Sequence, residues 1–316
     1  IAYTSLNIDL VRGSSIAYIP DIRNRFPDGQ KKINRIRTRD NYAYLASGYG
    51  IIIADIVRKE IRDTWKPGQE SGDNEVFDLA FGNGLVYAAT ANGLWQADLQ
   101  NQGLSYPGNW LRVPGMPEVR CNLVIFAGGT LYCNVPGDAG DDIVYAISQG
   151  VSVFSQSTGT VNRSFDPAPD GFSISSSRSL RYYNSQGILK KEISSYGWGE
   201  PDICQALIFE NDIWIADRTH GTIRGKNMTG FTGLPVSGPG SNEVAYITSE
   251  GGKTIICAGG TNGSWNGLKL PYMVSVFDGR KYENISSGAH YDAMRAAIDP
   301  SDPSRYFVSS WGGGLF

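Results

Sequence analysis

Tyr49, Asn92, Arg218, His220, Asn262, Trp265 and Trp311 stand in turn-forming stretches and are the side chains best suited to hold a ligand. Indole and phenol rings stack on the C–H faces of sugars, while amides, guanidinium groups and imidazoles bond the hydroxyls. Two stretches concentrate this chemistry. Gly259-Gly260-Thr261-Asn262-Gly263-Ser264-Trp265-Asn266-Gly267 is long and offers amides, hydroxyls and one indole, and Ser309-Ser310-Trp311-Gly312-Gly313 is a shorter stretch of the same kind.

Other chemistries find no matching pattern. The two histidines, His220 and His290, fall in no HExxH or HxH arrangement, so no metal site is expected. Asp138, Asp141 and Asp142 form an oxygen-rich loop that departs from the Ca²⁺-loop pattern and reads as a solvated turn. There is no GxSxG elbow, and Gly48-Tyr49-Gly50 lacks the following helix that a phosphate loop needs. No catalytic residues and no cofactor are therefore assigned. Carboxylates from distant repeats could meet, but the sequence singles out no pair. None of Cys121, Cys133, Cys204 and Cys257 forms a CxxC pair. Cys121 and Cys133 fall on adjacent expected strands, where a bridge and two buried thiols are both compatible with the spacing.

The elements that must position these side chains repeat. Strands are expected at Ile33–Thr38, Tyr42–Ser47, Ile51–Ile56 and Glu60–Trp65, separated by turn residues, and the pattern recurs from Phe77 to Val113. Aligned on the second strand, the anchors are Ile1, Tyr44, Tyr87, Tyr132, Phe172, Trp214, Ile256 and Phe307, at spacings of 43, 43, 45, 40, 42, 42 and 51 residues. Four short strands every ~40–45 residues are the pattern of an all-β propeller with four-stranded blades. Six repeats are complete and a partial one stands at each end. Seven blades are preferred, with eight as the alternative. Residues 1–316 are read as a single propeller domain that is a fragment of a longer, two-propeller protein.

In a propeller, the turns between strands two and three share one face with the connections between blades. That face would carry the seven residues above. Its inter-blade connections would contribute Asp73, Asn74, Trp198, Glu200, His290 and Tyr291 among others.

Composition agrees with many short strands: 39 Gly, 11% aromatic and only 19% charged residues. The net charge of −3 argues against nucleic acid as a partner. The basic alternation Lys31-Lys32 with Arg35, Arg37 and Arg39 reads as the solvated face of a strand. No stretch is apolar and long enough for a membrane span.

Several segments carry a resemblance. Ile1-Ala2-Tyr3 through Asp9-Leu10, Lys32-Ile33-Asn34-Arg35-Ile36, Tyr44-Leu45-Ala46-Ser47-Gly48-Tyr49-Gly50-Ile51 and Lys59-Glu60-Ile61-Arg62-Asp63-Thr64 resemble the N-terminal propeller region of PorZ-type proteins. Gly93-Leu94-Trp95-Gln96-Ala97-Asp98 and the stretch from Tyr306 to Leu315 fit the same pattern. The resemblance implies a part in the type IX secretion machinery of Bacteroidota, at the cell surface or in the periplasm. Implied partners are the sortase-complex proteins and lipopolysaccharide or another envelope polysaccharide. It implies two propellers and a small C-terminal β domain in the whole protein, and it transfers no catalytic residue. A second resemblance is to the propeller sensor region of hybrid two-component regulators, which sense glycans in the periplasm.

Overall fold

The structure is a computed structural model that describes residues 8–19, 32–68, 75–234 and 237–316. Ile1, the rest of the resemblance over residues 1–7, Lys31, Asp73 and Asn74 lie outside the described residues. Two compact units are present, Ile1–Leu234 and Pro235–Phe316.

The first unit opens with a hairpin of β1 (Ile8–Arg12) and β2 (Ser15–Ile19). Five four-stranded antiparallel meanders follow. They are β3 (Ile33–Arg39) to β6 (Glu60–Trp65) through β4 (Tyr42–Ser47) and β5 (Gly50–Asp55), and β7 (Val76–Gly82) to β10 (Leu111–Arg112) through β8 (Leu85–Thr90) and β9 (Gly93–Asp98). Next are β11 (Leu123–Ala127) to β14 (Val151–Gln156) through β12 (Thr130–Val135) and β13 (Ile143–Ile147), and β15 (Asn162–Ala168) to β18 (Leu189–Ile193) through β16 (Gly171–Ser176) and β17 (Leu180–Asn184). The fifth runs from β19 (Ile203–Phe209) to β22 (Thr229–Leu234) through β20 (Asp212–Asp217) and β21 (Gly221–Lys226). The second unit has a four-stranded sheet, β23 (Val244–Glu250), β24 (Lys253–Ala258), β25 (Pro271–Phe277) and β26 (Tyr282–Tyr291). It ends in a three-stranded sheet, β27 (Ala293–Asp299), β28 (Asp302–Ser310) and β29 (Gly314–Leu315). The all-β propeller reading is borne out, and every described anchor falls on the second strand of its sheet.

Alternation explains the packing. In the first two blades the second and third strands are sandwiched between neighbours, so both of their faces are apolar or small, whereas β20 of the fifth blade buries only alternate residues. Tyr44, Ala46, Ile51 and Ile53 of the first blade pack on Val76, Leu79 and Val86 of the second. Phe165, Phe172 and Ile174 of the fourth blade are fully buried against Leu123, Ile125 and Tyr132 of the third. Each such ring contributes roughly 1.5–3 kcal/mol by leaving water. Trp214 departs from this pattern. It is partly exposed, and the Arg224 guanidinium lies 5.3 Å from its ring centre.

The turn between strands two and three has a recurring hydroxyl clamp. Ser47 Oγ donates to the Gly50 carbonyl and accepts from the Tyr49 amide, and Thr90 Oγ1 does the same with Gly93 and Asn92. Gly50 closes that turn at φ 124°, and a Cβ there would lie 2.3 Å from the Trp65 carbonyl oxygen. Gly50→Ala is expected to cost about 1–3 kcal/mol from backbone strain alone. Urea unfolding of the variant measures this, and a cost near zero would mean that the turn yields.

First strands carry a bulge near their start in six sheets, between Ile33/Arg35, Val76/Asp78, Asn162/Ser164, Ile203/Gln205, Val244/Tyr246 and Ala293/Arg295. A bulge re-aims the side chains that follow it. In the first unit the first strands of successive blades neighbour one another, β3 on β7, β7 on β11, β11 on β15 and β15 on β19. Bonds that skip blades show that they converge. Arg35 Nη2 reaches the Arg163 carbonyl at 3.1 Å and Arg37 Nη2 the Phe165 carbonyl at 2.9 Å, from the first blade to the fourth.

The basic alternation is therefore a solvated strand face only at Lys32 and Arg39, whose side chains are exposed. Arg35 and Arg37 turn to the axis with side chains only 16% exposed. Arg37 grips Asp78 through Nε (3.0 Å) and Nη2 (2.8 Å). Asp78 also accepts the amides of Leu79 and Val124. On the far side, Gln205 Nε2 donates to Asp166 Oδ1 at 2.8 Å.

One further expectation is corrected, and one open alternative is decided. Asp142 is buried rather than solvated, because its carboxylate accepts from the Asn134 side chain and from the amides of Asn162 and Gly137. Cys121 and Cys133 are buried free thiols.

Candidate functional site

The seven residues expected on the ligand face all lie in connections after second strands, and they divide into three groups.

Tyr49 and Asn92 sit on separate clamp turns of the first and second blades. The Tyr49 ring faces the Lys66 ammonium at 4.3 Å, and Lys66 Nζ also donates to its hydroxyl. The Asn92 carbonyl accepts from Arg112.

Arg218 and His220 lie in the β20–β21 turn. The connection from β18 to β19 places Trp198 against His220 with ring centres 5.2 Å apart, and Tyr196 beneath both. Asp217 organises the group. Its Oδ1 accepts the amides of Thr219 and His220, and its Oδ2 accepts the Tyr196 hydroxyl (2.8 Å) and the Asp202 amide (2.7 Å). Burial opposes the Asp217 charge, yet the amides of Asp202 and His220, the Tyr196 hydroxyl and the Thr219 amide hold its pKa below the ordinary carboxylate value. Burial and that carboxylate push the Tyr196 hydroxyl pKa well up, so Tyr196 stays a donor. Trp198 is half exposed, with its indole N–H given to the Phe231 carbonyl. His220 Nε2 lies 3.2 Å from the Glu200 carbonyl. This corner presents an open indole face beside an imidazole and the exposed Arg218.

The third group, within the second unit, joins Asn262, Trp265 and Trp311. Asn262 is a positioning residue. Its Oδ1 accepts the amides of Ser264 and Asn266, which shapes the loop that lifts Trp265 outward. Trp265 has a left-handed φ of 61° and is 77% exposed. The Trp311 ring edge abuts Gly267, where a Cβ would come within 2.6 Å of Cδ1. Asp292 ties the two stretches together. Its carboxylate accepts the amides of Lys269 and Leu270, and its carbonyl accepts the Trp311 amide. Two partly or wholly exposed indoles are thus held on one pinned pair of loops.

Sequence reasoning missed Asp292 and Asp217. A signal existed for the former: a carboxylate or amide directly precedes the first strand at Glu75, Asn122, Asp202, Glu243 and Asp292. His290 and Tyr291 are not in a connection, as expected, but on the end of β26, where His290 packs 4.2 Å from the Phe316 ring centre. Among the described residues no group of His, Cys, Asp and Glu could hold a metal ion, and no helix is long and apolar enough to cross a membrane.

Residues 1–111 match the model of the family described as TSS9, PorZ, N-terminal beta-propeller domain. The resemblance read in those residues is thereby shown for that stretch. No curated protein matches the chain. PorZ of Porphyromonas gingivalis, described as an essential bacterial surface component of the type-IX secretion system, superposes with a TM-score of 0.68 at 20% identity. The match covers 100% of this chain and 42% of that one. An extracellular domain assigned to a hybrid two-component system of B. thetaiotaomicron gives a TM-score of 0.54 at 12% identity, over 86% of this chain and 40% of that one. A second such domain from the same organism gives 0.50 at 12%, over 92% and 46%. This chain therefore spans less than half the length of each of these structures, and the likeness is one of fold.

Proposed function

We propose, from the match of residues 1–111 to the PorZ N-terminal propeller, that this chain is a non-catalytic binding propeller of a cell-surface or periplasmic complex of type IX secretion. It engages lipopolysaccharide or another envelope glycan through its loop face and associates with sortase-complex proteins. The family match carries this reading. The exposed Trp265 and Trp311, on loops pinned by Asp292, give it a chemical basis, because an indole face beside amides suits a pyranose. The axial carboxylate Asp78 is bound to Arg37 and two backbone amides, which suits a structural group better than an acid or base.

Immobilised chain titrated with purified lipopolysaccharide and with its O-polysaccharide is expected to bind. The double variant Trp265→Ala, Trp311→Ala should bind at least tenfold more weakly, since stacked rings in a sugar site carry much of the affinity. Absence of binding to either probe, together with no co-purification of sortase-complex proteins, would sink the proposal.

A second reading, the glycan-sensing propeller of a hybrid two-component regulator, is favoured by the two extracellular domains of similar fold. The complete gene separates them: a downstream membrane helix and kinase support the regulator, and a short C-terminal β domain supports the secretion component.

A further inference from the structure

A cavity of about 560 Å³ lies between the first and second blades, walled by Tyr42, Tyr44 and Trp65. Its size is within the roughly 300–1,000 Å³ of small-molecule sites. It takes in the β3–β4 turn, which is at the opposite end of the sheet from the β4–β5 turn carrying Tyr49. The groove itself is a product of the repeat. A smaller cavity of about 330 Å³ recurs between the second and third blades, with Tyr87 in the place of Tyr44, and no charged side chain lines it.

The first cavity is chemically different. Arg39, Arg62, Asp40, Asp63 and Asn101 are set around its aromatic wall. Arg62 donates to the Tyr42 hydroxyl, with its guanidinium 4.8 Å from that ring centre, and Arg39 lies 5.3 Å from the Phe81 ring centre. Arg39 pairs with the exposed Asp40 at 3.6 Å, a weak pairing. The Trp65 indole N–H is fixed by Asp63 Oδ2 at 3.0 Å.

We propose that this cleft is a binding site for a short neutral saccharide. The partly exposed Tyr42 and Trp65 rings, backed by the buried Tyr44, offer apolar surface for the C–H side of a pyranose. Arginine donors and carboxylate acceptors at one rim can bridge adjacent hydroxyls, each of which donates and accepts. Two arginines and two aspartates leave the rim without net charge, so an anionic ligand gains little there. The site stands apart from the loop face and does not rest on the function proposed above.

Saturation-transfer NMR of the 316-residue chain tests it, with the methyl glycosides of glucose, galactose, mannose and N-acetylglucosamine, cellobiose, and glucuronate as the charged comparison. At least one neutral sugar is expected to bind through its C–H protons and to shift the Trp65 indole N–H resonance, which Trp65→Phe identifies. Affinity should fall about tenfold in Arg62→Ala and in Arg39→Ala, two exposed positions whose folding circular dichroism can check, and should be unchanged in Trp265→Ala. The proposal fails if no neutral sugar binds, if only glucuronate binds, if both arginine variants bind as the parent does, or if binding is lost with Trp265→Ala.

Discussion

Arg37→Ala is expected to lower the unfolding free energy by about 3–5 kcal/mol, the cost of breaking a buried ion pair by removing one partner. The Asp78 side chain is fully buried, and the bidentate grip of Arg37 balances its charge. The substitution leaves that carboxylate with two backbone amides and the more distant Arg35 at 4.0 Å, and it strands the Phe165 carbonyl, which Arg37 reaches from the first blade to the fourth. Urea unfolding followed by circular dichroism and by tryptophan fluorescence measures the loss. The double variant Arg37→Met, Asp78→Asn should recover part of it, because the Asp78 charge is removed; the recovery stays partial, since Asp166 loses Arg37 at 3.9 Å and Arg35 loses Asp78 at 4.0 Å. A single-variant loss below about 1 kcal/mol would show that the axis admits water to Asp78. Glycan binding at the loops should change only as far as the blades loosen, which separates this structural role from a ligand contact.

Asp217→Asn comes second. The carboxylate accepts from three amides and one hydroxyl, and hydrogen bonds to a charged group are worth about 1.5–3 kcal/mol each, though not additively. A loss of about 3 kcal/mol is expected, together with displacement of His220 from Trp198. The pH dependence has a definite sign. The folded-state pKa of Asp217 lies below its unfolded value, so this stabilisation is fully present above the ordinary carboxylate pKa of about 4. It fades as the pH falls from there through the folded-state value. Parent and variant should therefore differ most at neutral pH and converge in acid. A gap independent of pH from 7 to 2 would mean that shape, rather than charge, holds the turn.

The blades were legible because a strand writes itself locally. Tyr42–Ser47 and Gly50–Asp55 follow from apolar runs closed by turn residues, with no need of distant partners. The exposure of Trp265 and Trp311 was legible for the same reason, since Gly, Asn and Ser around an indole leave it nothing local to pack on.

What the chain order conceals is which residues meet. Asp217 and Asp292 each looked like one more polar residue, and Asn262 like a ligand contact; only the folded loops show that they position others. Arg37 and Asp78 are 41 residues apart, and Arg37 and Phe165 128 apart. Their union at the axis depends on bulges that re-aim the first strands and on blades brought face to face. By itself, then, the sequence determined the strand period, the turn chemistry and the exposed aromatic loops. Only the tertiary structure decided that the basic run Arg35–Arg37 is axial and paired rather than solvated, and that the first inter-blade groove carries charge. Burial and pairing across blades are properties of packing, and no local pattern encodes them.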